Sequence, residues 1–284
     1  MFGDAIKRIE IELTTRCNLQ CACCPLTYEK SYRDQDMALS RFIDLMRQLQ
    51  PALHNHTYIS LNGFGEFFEY PYYREVGAWL MEHKIAFTFC SNGVVMDHDF
   101  FCTVDCNAPV DDPITITVKK GKNYSTETAI ESCKRLIRMN HRNRVAFQIL
   151  YGDDAEFRAF CITHGYALTK IVTDNWAGYF RFHPKSAPRY GCDRFFPHPQ
   201  FTINVTGDVS VCCKDFAARK GWVGNVFTTD LAAIMQSESY QSWLRDARKH
   251  RLRERALCQG CFRSGFTEGV PEVSADVAAV RIKS

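Results

Sequence analysis

No run of about 18 apolar residues occurs in this 284-residue sequence, so nothing in it reads as a membrane-spanning helix. The opening residues, MFGDAIKRIEIEL, lack the apolar stretch of a signal peptide. No internal repeat or low-complexity segment is present. Excess charge is also missing. The 35 Lys and Arg nearly balance 32 Asp and Glu, and a net +3 gives no argument for a nucleic-acid or membrane partner. What remains is an ordinary globular composition, 46% hydrophobic and 24% charged, expected in the cytoplasm. The length suits one large domain, or one large and one small.

Cysteine is what the sequence has in quantity, with 14 in all. In a reducing compartment, clustered cysteines point to metal rather than to disulfides. Cys17, Cys21, Cys23 and Cys24 crowd into TTRCNLQCACCPL, Thr14 to Leu26. Cys192, Cys212, Cys213, Cys258 and Cys261 fall in the last third. Cys90, Cys102, Cys106, Cys133 and Cys161 are scattered between them and read as small buried hydrophobes.

Residues 8–172 alternate strand and helix patterns. RIEIEL (8–13), TYISL (57–61), IAFTFC (85–90), ITITV (114–118), VAFQIL (145–150) and ALTKIV (167–172) are short runs rich in β-branched and aromatic residues. Between them, apolar residues at Leu39, Phe42, Ile43, Met46 and Leu49 trace one helix face, with Ser40 near its N-cap. Residues 72–83 follow Pro71, a helix-start signal. Residues 126–140 and 153–165 are also helical, and a weaker helix lies near 97–105. Such alternation builds a parallel sheet with helices outside it. The expected class is α/β, a partial six-unit TIM-like barrel, with a flat doubly wound sheet as the alternative. Ligands belong at the C-terminal ends of the strands in either case. Beyond Gly178 the texture changes. A proline-rich connector leads to a hairpin around Thr206-Gly207, a helix over about 230–257 and Cys258-x-x-Cys261. The domains expected are 1–185, a small unit at 186–270 and a tail at 271–284.

Cys17, Cys21 and Cys24 have the spacing C-x3-C-x2-C. Three thiolates on a short loop hold three irons of a four-iron cluster, and a fourth iron without a cysteine keeps an open site. A zinc site is the alternative. This motif, placed just after the first strand, resembles the signature of the radical S-adenosylmethionine (radical SAM) enzymes. LNGFGEFFEYP (61–71), after the second strand, resembles the glycine-rich motif of that family at Gly63, Gly65 and Glu66, with Phe67 where proline is usual. CSNG (90–93), after the third strand, resembles the family's S-N-G element at Ser91 and Asn92. The resemblance covers about 8–180. It implies a [4Fe-4S] cluster on Cys17, Cys21 and Cys24, and S-adenosyl-L-methionine held near Gly63, Gly65, Glu66, Ser91 and Asn92. Thr117, at the end of the fourth strand, and Gln148, on the fifth, are further cofactor candidates. Cys23 stands where an aromatic residue is usual, as a filler or an alternative ligand.

The second cysteine set resembles the SPASM and Twitch auxiliary-cluster extensions of the same family. The shorter Twitch form implies a second [4Fe-4S] cluster on four ligands, Cys192, Cys212, Cys258 and Cys261, with Cys212 and Cys213 open to exchange. Structural zinc is again the alternative. In plan the chain is similar to the aminoglycoside-pathway inosamine dehydrogenase of this family. The resemblance implies hydrogen-atom abstraction from a substrate, followed by loss of an electron to the auxiliary cluster and of a proton to a base.

Residues 173–184 and the stretch after Cys213 are expected to face the substrate. Asn175, Trp176, Tyr179 and Arg181 are candidate contacts, with Lys214 and Asp215 beside them, and Tyr179, Arg181 and Lys214 are the candidate bases. The basic run Arg245–Arg255 reads as a solvated face or a polyanion contact. No leader-peptide-binding segment precedes the first motif, so the expected substrate is a small polyol, sugar or amino sugar, ahead of a peptide. The expected redox partner is a one-electron donor such as flavodoxin or ferredoxin.

Overall fold

The computed structural model describes residues 6, 8–21, 24–53, 57–107, 114–119, 130–131, 134, 145–150, 155–164, 167–171, 200–259 and 261. Six strands follow the expected order: β1 (Arg8–Ile11), β2 (Tyr58–Leu61), β3 (Phe87–Ser91), β4 (Ile114–Lys119), β5 (Val145–Leu150) and β6 (Ala167–Ile171). Each pairs in parallel with the next, as strands joined by crossover helices do. Among the described helices are α1 (Leu39–Leu49), α2 (Tyr73–Glu82), α3 (His98–Asn107) and α4 (Ala155–Thr163).

The sheet continues into the second unit. Strand β7 (Gln200–Ile203) lies parallel to β1, with Arg8 opposite Gln200 and Ile11 opposite Ile203. The hairpin partner β8 (Asp208–Ser210) and then β9 (Trp222–Asn225) run antiparallel beyond it. The full order is β6-β5-β4-β3-β2-β1-β7-β8-β9. The turn expected at Thr206-Gly207 is present. Asn204 Oδ1 accepts from the amides of Thr206 and Asp208, and Gly207 takes φ +83°, a region that suits glycine.

Strand alternation divides the sheet into two unlike faces. Ile9, Ile11, Ile59, Leu61, Phe87, Phe89, Phe201 and Ile203 are buried in one apolar core. Phe42, Leu45, Met46 and Leu49 of α1, and Val76 and Leu80 of α2, belong to that core. The other face carries Arg8, Glu10 and Glu12 on β1 and just beyond it, with Ser60 and Thr202 beside them. Glu10 and Glu12 are only 4% and 2% exposed, so the charged alternation of RIEIEL marks a buried polar face and not a wetted one.

Two local expectations change. The N-cap of α1 is Ala38, without a side-chain bond, and Ser40 lies inside the helix. The single helix expected over about 230–257 is broken into α5 (Leu231–Gln236), α6 (Glu238–Arg248) and α7 (Ala256–Gln259). Ser237 causes the first break: its backbone is extended, and its hydroxyl accepts from the Tyr240 amide to cap α6. Tyr240 then packs on Phe201 of β7, with ring centroids 4.8 Å apart. The basic run is laced with ion pairs, Arg251 and Arg255 both meeting Asp246 at 2.8 and 2.6 Å.

Ile11 is fully buried where β1 lies between β2 and β7. Ile11→Ala is therefore expected to cost about 2–5 kcal/mol of unfolding free energy, measured by urea denaturation.

Candidate active site at the strand ends

Three loops meet at the C-terminal ends of β1, β2 and β3. The first carries the cysteines. Its backbone is pinned from outside: Arg33 Nη2 donates to the Cys17 carbonyl at 2.9 Å, and Thr27 Oγ1 to the Cys21 carbonyl at 2.7 Å. Asp36 accepts from the Thr14 hydroxyl at 2.6 Å and from Arg16 Nε at 2.8 Å. Cys21 is buried, whereas Cys17 and Cys24 are half-buried, and none of the three is in a disulfide.

The second loop lies directly on the first. A Cβ on Gly65 would fall 2.2 Å from the Thr14 carbonyl oxygen, and one on Gly63 would fall 2.4 Å from Glu12 Cγ. Both glycines are needed for close contact between protein segments, a different reason from approach to a cofactor. Phe67, the departure from the motif, anchors the loop. It is buried and stacks on Phe89 with centroids 4.4 Å apart, in a cluster with Phe68, Tyr73 and Phe100.

Glu66 joins the second loop to the third. Ser91 Oγ donates to Glu66 Oε1 and the Asn92 amide to Glu66 Oε2, each at 2.7 Å. The Glu66 amide in turn donates to the Arg16 carbonyl at 2.8 Å, and Asn92 Nδ2 reaches Asn18 Oδ1 at 2.8 Å. Glu66, Ser91 and Asn92 are all buried. Around them, Thr14, Asn62, Gly63, Gly65 and Cys90 help to line a cleft of about 450 Å³, partly open to solvent. Thr117 and Gln148 are backbone register partners of β4 and β5, in the same sheet.

A second, smaller chamber lies where β1 meets β7 and β8. Gly63 lines both spaces, so the two share a wall. Glu12 lies in the chamber wall. Tyr32 donates to its Oε2 at 2.6 Å and the Phe64 amide to its Oε1 at 2.7 Å, and the Val205 amide bonds it as well. These partners are all neutral. Burial pushes the Glu12 carboxyl up to about 7, although the three bonds pull the other way. Sequence reasoning passed over Glu12, taking its polar alternation only as the mark of a strand. The signal was there: a sheet covered by helices on one face leaves the polar positions to line a cavity.

In the second cysteine set, Cys212 and Cys258 pack against the main core, while Cys213 lines the chamber beside Glu12. The Lys214 amide points at Cys212 Sγ, 3.4 Å away. The Cys261 amide donates to the Cys258 carbonyl at 3.2 Å, closing the C-x-x-C turn. Asp215 organises its own loop: it accepts from Ser210 Oγ at 2.8 Å and from the amides of Gly221 and Lys220 at 2.6 and 3.0 Å. Burial pushes its carboxyl up, and these donors oppose the rise. Cys23, Asn175, Trp176, Tyr179, Arg181 and Cys192 lie outside the described residues.

Among the described residues, no three His, Cys, Asp or Glu side chains converge as ligands of a single ion would. A four-iron cluster asks instead for one thiolate on each iron. Cys17, Cys21 and Cys24, on one loop and outside any disulfide, are a donor set of that chemistry. Cys212, with an amide aimed at its sulfur, and Cys258 and Cys261 of the C-x-x-C turn are thiols of the same donor type, outside any disulfide.

The parallel β/α sheet with a cysteine-bearing extension is similar to the fold of radical SAM enzymes that carry SPASM or Twitch domains. Residues 192–262 match the family model of SPASM, an iron–sulfur cluster-binding domain. The crystal structure of BtrN in complex with AdoMet and 2-DOIA is similar, with a TM-score of 0.66 and 16% identity over 90% of this chain and 92% of that one. SuiB of Streptococcus suis bound to precursor peptide SuiA gives 0.64 and 13% over 84% and 67%. Native anSMEcpe with bound AdoMet gives 0.62 and 11% over 90% and 88%. No curated protein matches the chain in sequence. Identities this low carry the fold and leave the substrate open. No helix of the described residues is long and apolar enough to cross a membrane.

Two predictions follow from the geometry. Glu66→Ala leaves the Ser91 hydroxyl and the Asn92 amide buried without this acceptor, and is expected to cost about 2–4 kcal/mol in urea denaturation, with Glu66→Gln costing less. The Glu12 pKa is raised in the fold, from 4.5 to about 7, so the native protein keeps a proton there that the unfolded chain has lost. Stability from this group is full below pH 4.5 and falls as pH rises through 7, by about 3 kcal/mol. Glu12→Gln is expected to remove that fall, read as the difference between wild-type and variant urea midpoints from pH 4 to pH 8.

Proposed function

We propose that the chain is a radical SAM enzyme that oxidises a small polar substrate, a sugar, cyclitol or amino sugar. The observation that carries the reading is the Glu66 carboxylate, which ties the glycine-rich loop after β2 to the S-N-G loop after β3, beside the cysteine loop after β1. Cys17, Cys21 and Cys24 would hold the cluster that cleaves S-adenosyl-L-methionine, and the cleft beside Gly63, Gly65 and Glu66 would hold that cofactor. When bound, these groups supply a 5′-deoxyadenosyl radical, which takes a hydrogen atom from the substrate. Cys192, Cys212, Cys258 and Cys261 would hold an auxiliary [4Fe-4S] cluster that accepts one electron, and the match to the SPASM model supports this. Thr117 and Gln148 extend the proposed cofactor side. Tyr179, Arg181 and Lys214 extend the substrate side. A flavodoxin or ferredoxin is the proposed reductant, in the cytoplasm.

The residues of the chain have the remaining tasks. The buried bonds of Glu66 hold two of the loops in register, and Phe67, stacked on Phe89, gives the cleft an apolar wall. A second reading, modification of a peptide, is favoured by the likeness to SuiB, whose structure contains a precursor peptide.

The test is anaerobic reconstitution followed by incubation with reductant, S-adenosyl-L-methionine and a panel of cyclitols, sugars and peptides. About eight irons per chain are expected, from two four-iron clusters. Deoxyadenosine should form with a cyclitol or sugar. Replacing Cys17, Cys21 and Cys24 with Ala should leave about four irons and abolish deoxyadenosine. Stoichiometric zinc without iron would overturn the proposal, and deoxyadenosine formed only with peptides would favour the second reading.

A further inference from the structure

The loop that follows Cys212 and Cys213 reaches back to the segment that follows Cys24. Its first turn is closed by the Asp215 amide, which donates to the Cys212 carbonyl at 3.0 Å. Asp215 also gathers Ser210 Oγ and the amides of Lys220 and Gly221, so the loop is braced at both ends. Between those ends Phe216 is buried, only 3% exposed. Its ring packs edge-on with Tyr32 and Phe64, centroids 4.9 and 4.8 Å away. Leu26, two residues past Cys24, completes the same apolar cluster with Val205, and Cys24 itself packs against it. Arg219 adds a second link. It lies over the Phe216 ring at 5.4 Å and bonds both oxygens of Glu29, at 3.3 and 3.4 Å. Ala217 and Ala218 take φ +54° and +52°, a left-handed pair that a Cβ disfavours. Such a backbone persists only where surrounding contacts hold it, and Phe216 and Arg219 supply them.

We propose that Phe216 is a positioning residue of the first cysteine loop, and that it couples the two cysteine sets: metal held at Cys212 fixes the loop that seats Cys24. The inference rests on the reading above only in taking both cysteine sets as metal sites. Binding at Cys212 together with Cys258 and Cys261 pins the start of the Phe216 loop to the C-x-x-C turn. A pinned loop keeps Phe216 between Tyr32 and Phe64, and Leu26 and Cys24 keep their apolar support. The converse holds by linkage. Metal on Cys17, Cys21 and Cys24 favours the docked loop, and so tightens the second set by the same factor. Two sites joined in this way fill together, and a chain with one set loaded and the other empty is the rarer species.

The test uses the full-length protein, reconstituted anaerobically with iron and sulfide, and times metal release from each set to a chelator. Chains with Ala at Cys17, Cys21 and Cys24, or at Cys212, Cys258 and Cys261, assign each phase of release to its set. Phe216→Ala is expected to speed release from the first set about tenfold, an ordinary size for coupling between sites, with amide hydrogen exchange rising over residues 24–33. Phe216→Leu should fall between that variant and wild type. Ala at Cys212, Cys258 and Cys261 should speed release from the first set by a similar factor, and Phe216→Ala should add little on that background. Arg219→Ala, at an exposed ion pair, should act in the same direction by no more than about fivefold. The double variant Phe216→Leu, Arg219→Ala takes the place of Phe216→Ala if the latter does not fold. Ile234→Ala, in the same extension but outside the small apolar cluster, controls for general loosening and should leave release from the first set unchanged. Unchanged release in Phe216→Ala or in the double variant would overturn the proposal. So would effects of Phe216→Ala and of the second cysteine set that multiply, or an equal loss in Ile234→Ala. Stoichiometric zinc in place of iron would overturn the radical reading alone, since the coupling is read from release of either metal.

Discussion

A carboxylate enclosed at the mouth of a sheet must find its hydrogen bonds inside the protein, because an unmet charge there is far more costly than an unmet dipole. Glu66 meets this constraint across a strand boundary. Its two oxygens collect a hydroxyl and an amide from the loop after β3, and its own amide is fixed to the loop after β1. None of the three loops can shift without breaking a buried bond. The two glycines complete the arrangement by removing the side chains that would hold the second loop off the first. A rigid mouth is thus built mainly from backbone and one acid, leaving the cleft walls to whatever the chemistry requires.

The same logic applies on the other side of Gly63, with a different result. Glu12 collects Tyr32 from the segment after the cysteine loop, Phe64 from the glycine-rich loop and Val205 from the hairpin. Leu26, Tyr32, Phe64, Val205 and Phe216 form a small apolar cluster of their own around these contacts, with Cys24 packed against it. The cysteine loop and the C-terminal extension are therefore joined through a few side chains.

The architecture was legible from short-range signals. Strand alternation, glycine-rich turns and the order of motifs each act within a few residues, and the six parallel strands and the C-x3-C-x2-C loop followed from them. What was not legible depends on contacts between distant segments. The pairing of β7 with β1 has no local mark in either strand. The polar positions of RIEIEL look the same whether they face water or a chamber. Phe67 read as a departure from a motif until Phe89 and Phe100 surrounded it. The break at Ser237 was readable, since serine is a favoured N-cap and Glu238 puts an acid in the first turn after it, but the apolar periodicity on either side concealed it.

The pairing of β1 with β7 also bears on how the protein comes into being. Thr202 and Glu10 lie 192 positions apart in the chain and meet across this pair. Contacts so distant in sequence are formed late and slow a domain's folding. During synthesis the cysteine loop emerges early, yet Tyr32 and Glu12 lack Val205 and Phe216 until the hairpin has left the ribosome. The first strand thus keeps an open sheet edge until β7 is made, a surface on which nascent chains mispair. Completion of the strand-end site therefore waits until β7 and its hairpin have joined the sheet.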